Sequence, residues 1–165
     1  LFLLAGPMRK LQQVYLTLVK TAADYRTVIR FNLLVATGMG VLVLLTAGPL
    51  NDLILGRLLC VETELRLYLR WPLAACALFP ILYGSCNLLR GWFAGADQTG
   101  QLGRSTILKS SFLLLVWWPL VSLQPPLSGI SIGIGLLLCA ESLEALYLKF
   151  QRRKQPNNLS QLAPM

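Results

Sequence analysis

Apolar residues run along this chain in four long blocks, separated by short basic or turn-forming stretches. The first block covers Phe31 to Ile54, and Leu33 through Leu50 within it carries no charge. The second covers Trp71 to Leu89, again without charge, and the third covers Ser105 to Leu123 with Lys109 as its only ion. The fourth covers Gly129 to Phe150 and contains Glu141 and Glu144. A helix rises about 1.5 Å per residue, so about 20 residues cross a hydrocarbon core of about 30 Å. Lipid offers no partner for a free amide, so blocks of this length predict helices and not open strands. The predicted fold class is all-α: a polytopic transmembrane helix bundle of about four spans.

Before the first block the pattern changes. Leu11, Val14, Tyr15, Leu18 and Val19 recur at helical spacing, with Arg9, Lys10, Gln12, Gln13 and Lys20 between them. Met8 to Arg30 therefore reads as an amphipathic helix, either on the inner leaflet or packed on the ends of neighbouring spans. The chain opens apolar at Leu1-Phe2-Leu3-Leu4 with no charged leader region or small-residue cleavage site, which predicts the tail of a span that starts upstream. Three regions follow: 1–30 (the end of a span plus the amphipathic linker), a four-span bundle over 31–150, and a tail over 151–165. The polar, aperiodic stretch from Gln155-Pro156-Asn157-Asn158 onward predicts disorder. Pro72 is expected at a helix start, whereas Pro80 and Pro119 fall inside apolar blocks and predict kinks.

Composition fits the membrane reading. The 165 residues are 55% hydrophobic and 13% charged, with mean hydropathy +0.61. A soluble domain carries about 25% charged residues, and a chain this small cannot hide so much apolar surface. The net charge of +8 comes from basic residues that sit mostly in loops between the apolar blocks, with Lys109 at a loop border. Arg9, Lys10, Lys20, Arg26 and Arg30 precede span one; Arg90, Arg104 and Lys109 follow span two; Lys149, Arg152, Arg153 and Lys154 follow span four. The opposite side holds only Arg57, Arg66 and Arg70, offset by Asp52, Glu62 and Glu64, plus the Gln124-Pro125-Pro126 turn. This alternation predicts a multi-pass protein of the cell (inner) membrane with its C-terminus in the cytoplasm, partnered by lipid and not by nucleic acid.

Chemistry is sparse. Glu141 and Glu144 sit at i and i+3 on one face of the fourth span. A carboxylate at such depth costs about 2.5–3.5 kcal/mol on insertion scales, so it faces a partner or a water-filled cavity. Both are candidates to bind a small-molecule substrate or an ion; the bland alternative is a buried ion pair with an arginine elsewhere in the chain or in a part that precedes it. Gly91-x-x-x-Gly95, Gly129-x-x-x-Gly133 and Gly135 are candidate helix-packing positions. Trp92 and Phe93 suit an interfacial aromatic belt, with Arg90 reaching lipid phosphates, and Trp117 and Trp118 suit the opposite interface. Cys60, Cys76, Cys86 and Cys139 are scattered and no histidine occurs, which argues against zinc and against histidine catalysis. No phosphate-binding loop or nucleophile elbow is present, so neither an enzyme nor a cofactor is expected.

The order of these parts resembles the multidrug/oligosaccharidyl-lipid/polysaccharide exporter superfamily (the MATE-like transporters). The resemblance runs from about Leu4 to Lys154. It rests on Ala5-Gly6-Pro7 before the basic linker, Gly48-Pro49-Leu50 closing span one and Leu89-Arg90-Gly91-Trp92-Phe93-Ala94-Gly95 closing span two. Gly133-x-Gly135 and Glu141 then lead into Lys149-x-x-Arg152-Arg153-Lys154. The last two spans are most similar to the progressive ankylosis branch, associated with export of small anions such as pyrophosphate and citrate. The resemblance implies two six-helix bundles, of which these spans are the last four, and secondary transport by alternating access. The substrate would be a small organic or phosphate-type anion, a lipid-linked saccharide or a drug. The partner would be a preceding bundle of the same chain or a second copy. A small four-span scaffold or accessory subunit, acting by helix packing alone, is the alternative.

Overall fold

The computed structural model of the chain describes residues 2–123 and 129–154. The Gln124-Pro125-Pro126 turn and the tail beyond Lys154 lie outside the described residues. Those described are helical, without strands: α1 (Phe2–Leu18), α2 (Ala22–Ala47), a π-helical segment (Asp52–Leu58), α3 (Thr63–Ala75), a 3-10 turn (Cys76–Leu78), α4 (Phe79–Gly95), α5 (Thr99–Leu123) and α6 (Gly129–Arg153).

The basic stretch expected as one amphipathic helix is two. Thr21 accepts from the Asp24 amide, while the Asp24 carboxylate accepts from the Thr21 amide at 2.9 Å. This reciprocal cap starts α2 at Ala22, nine residues ahead of the expected Phe31. At the other end Pro49 lacks an amide and disfavours helical geometry at Gly48, so α2 stops at Ala47. The apolar stripe of α1 faces protein: Met8, Leu11 and Tyr15 are buried. Met8 meets Gly84 and Tyr15 meets Gly91. Both pairs are seven residues apart on their own helices, so α1 and α4 run parallel in constant register. Burial pushes the Tyr15 phenol up to about 12, reinforced by Tyr25 and opposed by Arg152, so it stays neutral.

The second apolar block is a single helical course of 33 residues from Thr63 to Gly95. Pro72 lies inside α3 and not at its start. Pro80 sits in the first turn of α4, directly after the 3-10 turn. Its missing amide and bulky ring break the regular ladder there. Alpha-carbon crowding is relieved on the facing helix by Gly40, where a Cβ would lie 2.8 Å from the Ala77 carbonyl oxygen.

Among the described residues, three helical stretches are long and apolar enough to cross a membrane: Ala23–Ala47, Thr63–Gly95 and Gly129–Arg153. The expected four therefore becomes three. The block from Ser105 to Leu123 is helical and unbroken through Pro119, but Gln101, Arg104, Ser105 and Lys109 make its first half polar. The uncharged remainder from Ser110 to Leu123 rises only about 21 Å, short of a bilayer core. The chain is an integral membrane protein built as an all-α bundle, and its outward surface fits that solvent. Leu34, Trp71, Leu115 and Trp118 are each more than 70% exposed.

Antiparallel pairing places α2 beside α4, with Asn32 opposite Gly84 and Gly40 opposite Ala77. α5 runs antiparallel to α6, with Gln101 bonded to Tyr147 and Lys109 to Glu141. These pairings gather the start of α2, the end of α4, the start of α5 and the end of α6 at one end of the bundle. There Arg152 lies over the Tyr25 ring at 4.6 Å and the Trp92 ring at 5.5 Å. Trp92 and Phe93 are core residues with Tyr15, Tyr25, Val28, Leu88 and Leu148, not a belt at the lipid interface.

The glycines separate into two classes. A Cβ at Gly91 would lie 2.7 Å from Tyr15 Cβ, while one at Gly133 would meet nothing within 4 Å. Gly91→Ala is expected to destabilise the purified protein by about 1–3 kcal/mol. Gly133→Ala is expected to leave stability unchanged or raise it, because alanine favours the helix. Thermal midpoints in detergent check this, and equal effects would refute the α1–α4 contact.

Candidate functional site

The acidic pair on α6 is the centre of the bundle's chemistry. Glu141 and Glu144 are both buried, and both face basic side chains from two other helices. From α4, Arg90 Nε lies 2.7 Å and its Nη2 2.5 Å from Glu144 Oε1. From α5, Lys109 Nζ bonds Glu141 Oε1 and lies 3.3 Å from Glu144 Oε2. Ser105, one helical turn before Lys109, brings its hydroxyl to 3.3 Å from Glu144 Oε1 and 2.9 Å from the Leu102 carbonyl. Cys86, one turn before Arg90, donates its thiol to the Glu141 main-chain carbonyl at 3.4 Å.

Helical spacing explains why six side chains from three elements converge. Glu141 and Glu144 are one turn apart on α6; Cys86 and Arg90 are four apart on α4; Ser105 and Lys109 are four apart on α5. α4 runs parallel to α6 and α5 antiparallel, so Arg90 comes level with Glu144, nearer the basic end, and Lys109 with Glu141, one turn further in. The quartet is electrically balanced, two carboxylates against one guanidinium and one ammonium. Balance does not mean saturation. Glu141 Oε2 and Glu144 Oε2 are buried without a hydrogen-bond donor, the latter met only by the Lys109 charge. Buried carboxylate oxygens in this state are unusual and costly.

The bland alternative is thus partly realised: Glu144 pairs with an arginine, Arg90, whereas the partner of Glu141 is Lys109. Arg90 does not reach lipid phosphates but turns inward to Glu144. Of the candidate packing glycines, Gly91 and Gly95 lie on α4 against Tyr15 and Leu16 of α1. Gly129, Gly133 and Gly135 would each place a Cβ in open space, so that face of α6 is not a close helix contact among the described residues. Gly84 and Gly40 are the close approaches that sequence reasoning missed; Gly84 stands in no paired small-residue motif, and Gly40 pairs only with Ala36, as Ala36-x-x-x-Gly40. Lys109, Ser105 and Cys86 were also missed as site residues. Lys109 had a signal: it is the only ion in its apolar block, and two unpaired acids follow in the next.

Cys86 Sγ and one carboxylate oxygen from each of Glu141 and Glu144 lie within 4.8 Å of one another, a cluster that spacing along the chain could not show. Asn32 and Asn87 are also buried near the middle of the bundle. Asn87 donates to the Tyr83 carbonyl at 2.9 Å, and Asn32 Oδ1 has no donor. Comparison with protein-family models, curated proteins and solved structures returned no match.

Removing one member of a buried pair strands the other, whereas removing both does not. Arg90→Leu alone is expected to destabilise by about 3–5 kcal/mol, and Arg90→Leu with Glu144→Leu to recover most of that loss. Unfolding by denaturing detergent checks the cycle; additive losses would show that the two residues are not coupled.

Proposed function

We propose that this bundle is part of a secondary transporter, with Glu141 as the group that takes up a proton or ion, or contacts substrate, during alternating access. The observation that carries the reading is the buried quartet, above all the Glu141 oxygen that has no donor. Ionisable groups at membrane depth cluster along ion and proton paths, where they exchange partners. Lys109 touches both carboxylates, so its ammonium can shift between them as one is neutralised. The 3-10 turn before Pro80, facing Gly40, supplies a place for one helix to bend against another.

The resemblance to MATE-like exporters supports the same reading. It points to small anions, including phosphate-type and organic acids, as the first substrates to try. Transport of this kind needs a second bundle, from the same polypeptide or a second copy. The basic ends of four helices gather at one end of the bundle, which supports a cytoplasmic location for that end and for the tail.

A scaffold or accessory subunit is the second reading, and the charge balance favours it: two pairs close on themselves with no net charge left over. The two readings separate on Glu141→Gln. In proteoliposomes of the intact protein loaded with pyrophosphate or citrate and a pH-sensitive dye, the variant is expected to lower flux by about tenfold or more. Folded yield should fall by less than about twofold. Equal losses in both, or no flux above empty liposomes, would leave the scaffold reading.

A further inference from the structure

The same quartet has a neighbour that the transport reading does not use. Cys86 on α4 is fully buried, and its sulfur shares a sphere of 4.8 Å with carboxylate oxygens of Glu141 and Glu144. Two of the carboxylate oxygens in this cluster lack hydrogen-bond donors. We propose that Cys86, Glu141 and Glu144 form a binding site for a thiophilic divalent cation of the zinc class, and that the Lys109 ammonium is its built-in competitor.

Donor chemistry selects the ion. One sulfur and two carboxylates suit zinc or cadmium, which accept mixed sulfur and oxygen ligands in tetrahedral geometry. Magnesium and calcium demand all-oxygen shells and are disfavoured by the thiolate. Ligands around a tetrahedral zinc stand roughly 3.5 Å apart, so the three donors need to close by about 1 Å from their present spacing.

Charge balance decides whether an ion can enter so apolar a place. In the present arrangement Arg90 and Lys109 neutralise the two glutamates, and the thiol keeps its proton. When the ion binds, the S–H bond breaks, its proton passes to water and a sulfur–metal bond forms. Lys109 swings away with its own proton. Its side chain is the partly exposed member of that pair, at 18% against 3% for Glu141. Arg90 and the dication then oppose two carboxylates and one thiolate, and the cluster is again neutral. One ammonium and one thiol proton are exchanged for one dication, so no uncompensated charge is left in the low-dielectric interior.

The test uses cadmium and the full chain in detergent, with Cys60, Cys76 and Cys139 changed to serine so that Cys86 is the sole thiol. The ultraviolet cadmium–thiolate band should saturate at one ion per chain, zinc should displace it, and Cys86→Ser should abolish it. Glu141→Gln should weaken binding by about tenfold or more, and Lys109→Gln should tighten it by a similar factor. A band that does not saturate, or an affinity that ignores Glu141→Gln, would overturn the site by showing cadmium on a bare thiol. If Lys109→Gln does not fold, Glu141→Gln decides alone. Equilibrium binding is read without transport, so a failure here and a failure of flux are separate results.

Discussion

Two carboxylates inside an apolar bundle need cations beside them, and where those cations come from governs how the helices are arranged. Glu141 and Glu144 occupy one face of α6, but no basic residue of α6 can reach them from the same depth. The compensating charges come from α4 and α5, which must therefore both lie against that face. Meeting this demand has a cost for α5. Arg104, Ser105 and Lys109 make its first half polar, and that is why it falls short of a bilayer-spanning apolar stretch while its neighbours do not. The polar first half of α5 and the neutral quartet are two sides of one constraint, although the helix still runs the length of α6 beside it.

The rest of the packing relies on closeness more than on bulk. Gly84 and Gly91 let α1 lie directly on α4, and Gly40 lets α2 press on the carbonyl of the 3-10 turn before Pro80. Helices in lipid gain little from hydrophobic burial against each other, because lipid tails are equally apolar. Tight backbone approach and internal polar contacts take its place. The aromatic cluster of Tyr15, Tyr25 and Trp92 under Arg152 closes the basic end, where α1, α2, α4 and α6 meet.

Block length and the absence of charge sufficed to expose the all-α class and the location of most helices. The Glu141–Glu144 pair was legible too, because a spacing of three on one helix is a local property. Their partners were not: Lys109 is 32 residues and Arg90 54 residues from its glutamate, and such pairing depends on which helices are neighbours. Trp92 and Phe93 misled because an aromatic pair next to an arginine looks the same at a lipid interface and in a core. The Thr21–Asp24 cap was written in the sequence as a Thr-x-x-Asp tetrad, but the surrounding basic periodicity hid it. The Gly129, Gly133 and Gly135 spacing permitted a close contact that no described helix makes.

The constant register of α1 on α4 bears on how the protein is made. Met8 waits for Gly84 and Tyr15 for Gly91, each 76 residues downstream. At ordinary rates of synthesis that delay is roughly 4–15 s, far longer than the microseconds in which a helix forms. During that interval α1 lacks its contacts to α4, while those to α2, through Ala36 and Tyr25, can already form. Its arginine and lysine at positions 9 and 10 suit it to rest on an anionic membrane surface until α4 arrives. Docking of α1 onto α4 therefore cannot begin until Gly91 has been made, with α5 and α6 still to follow.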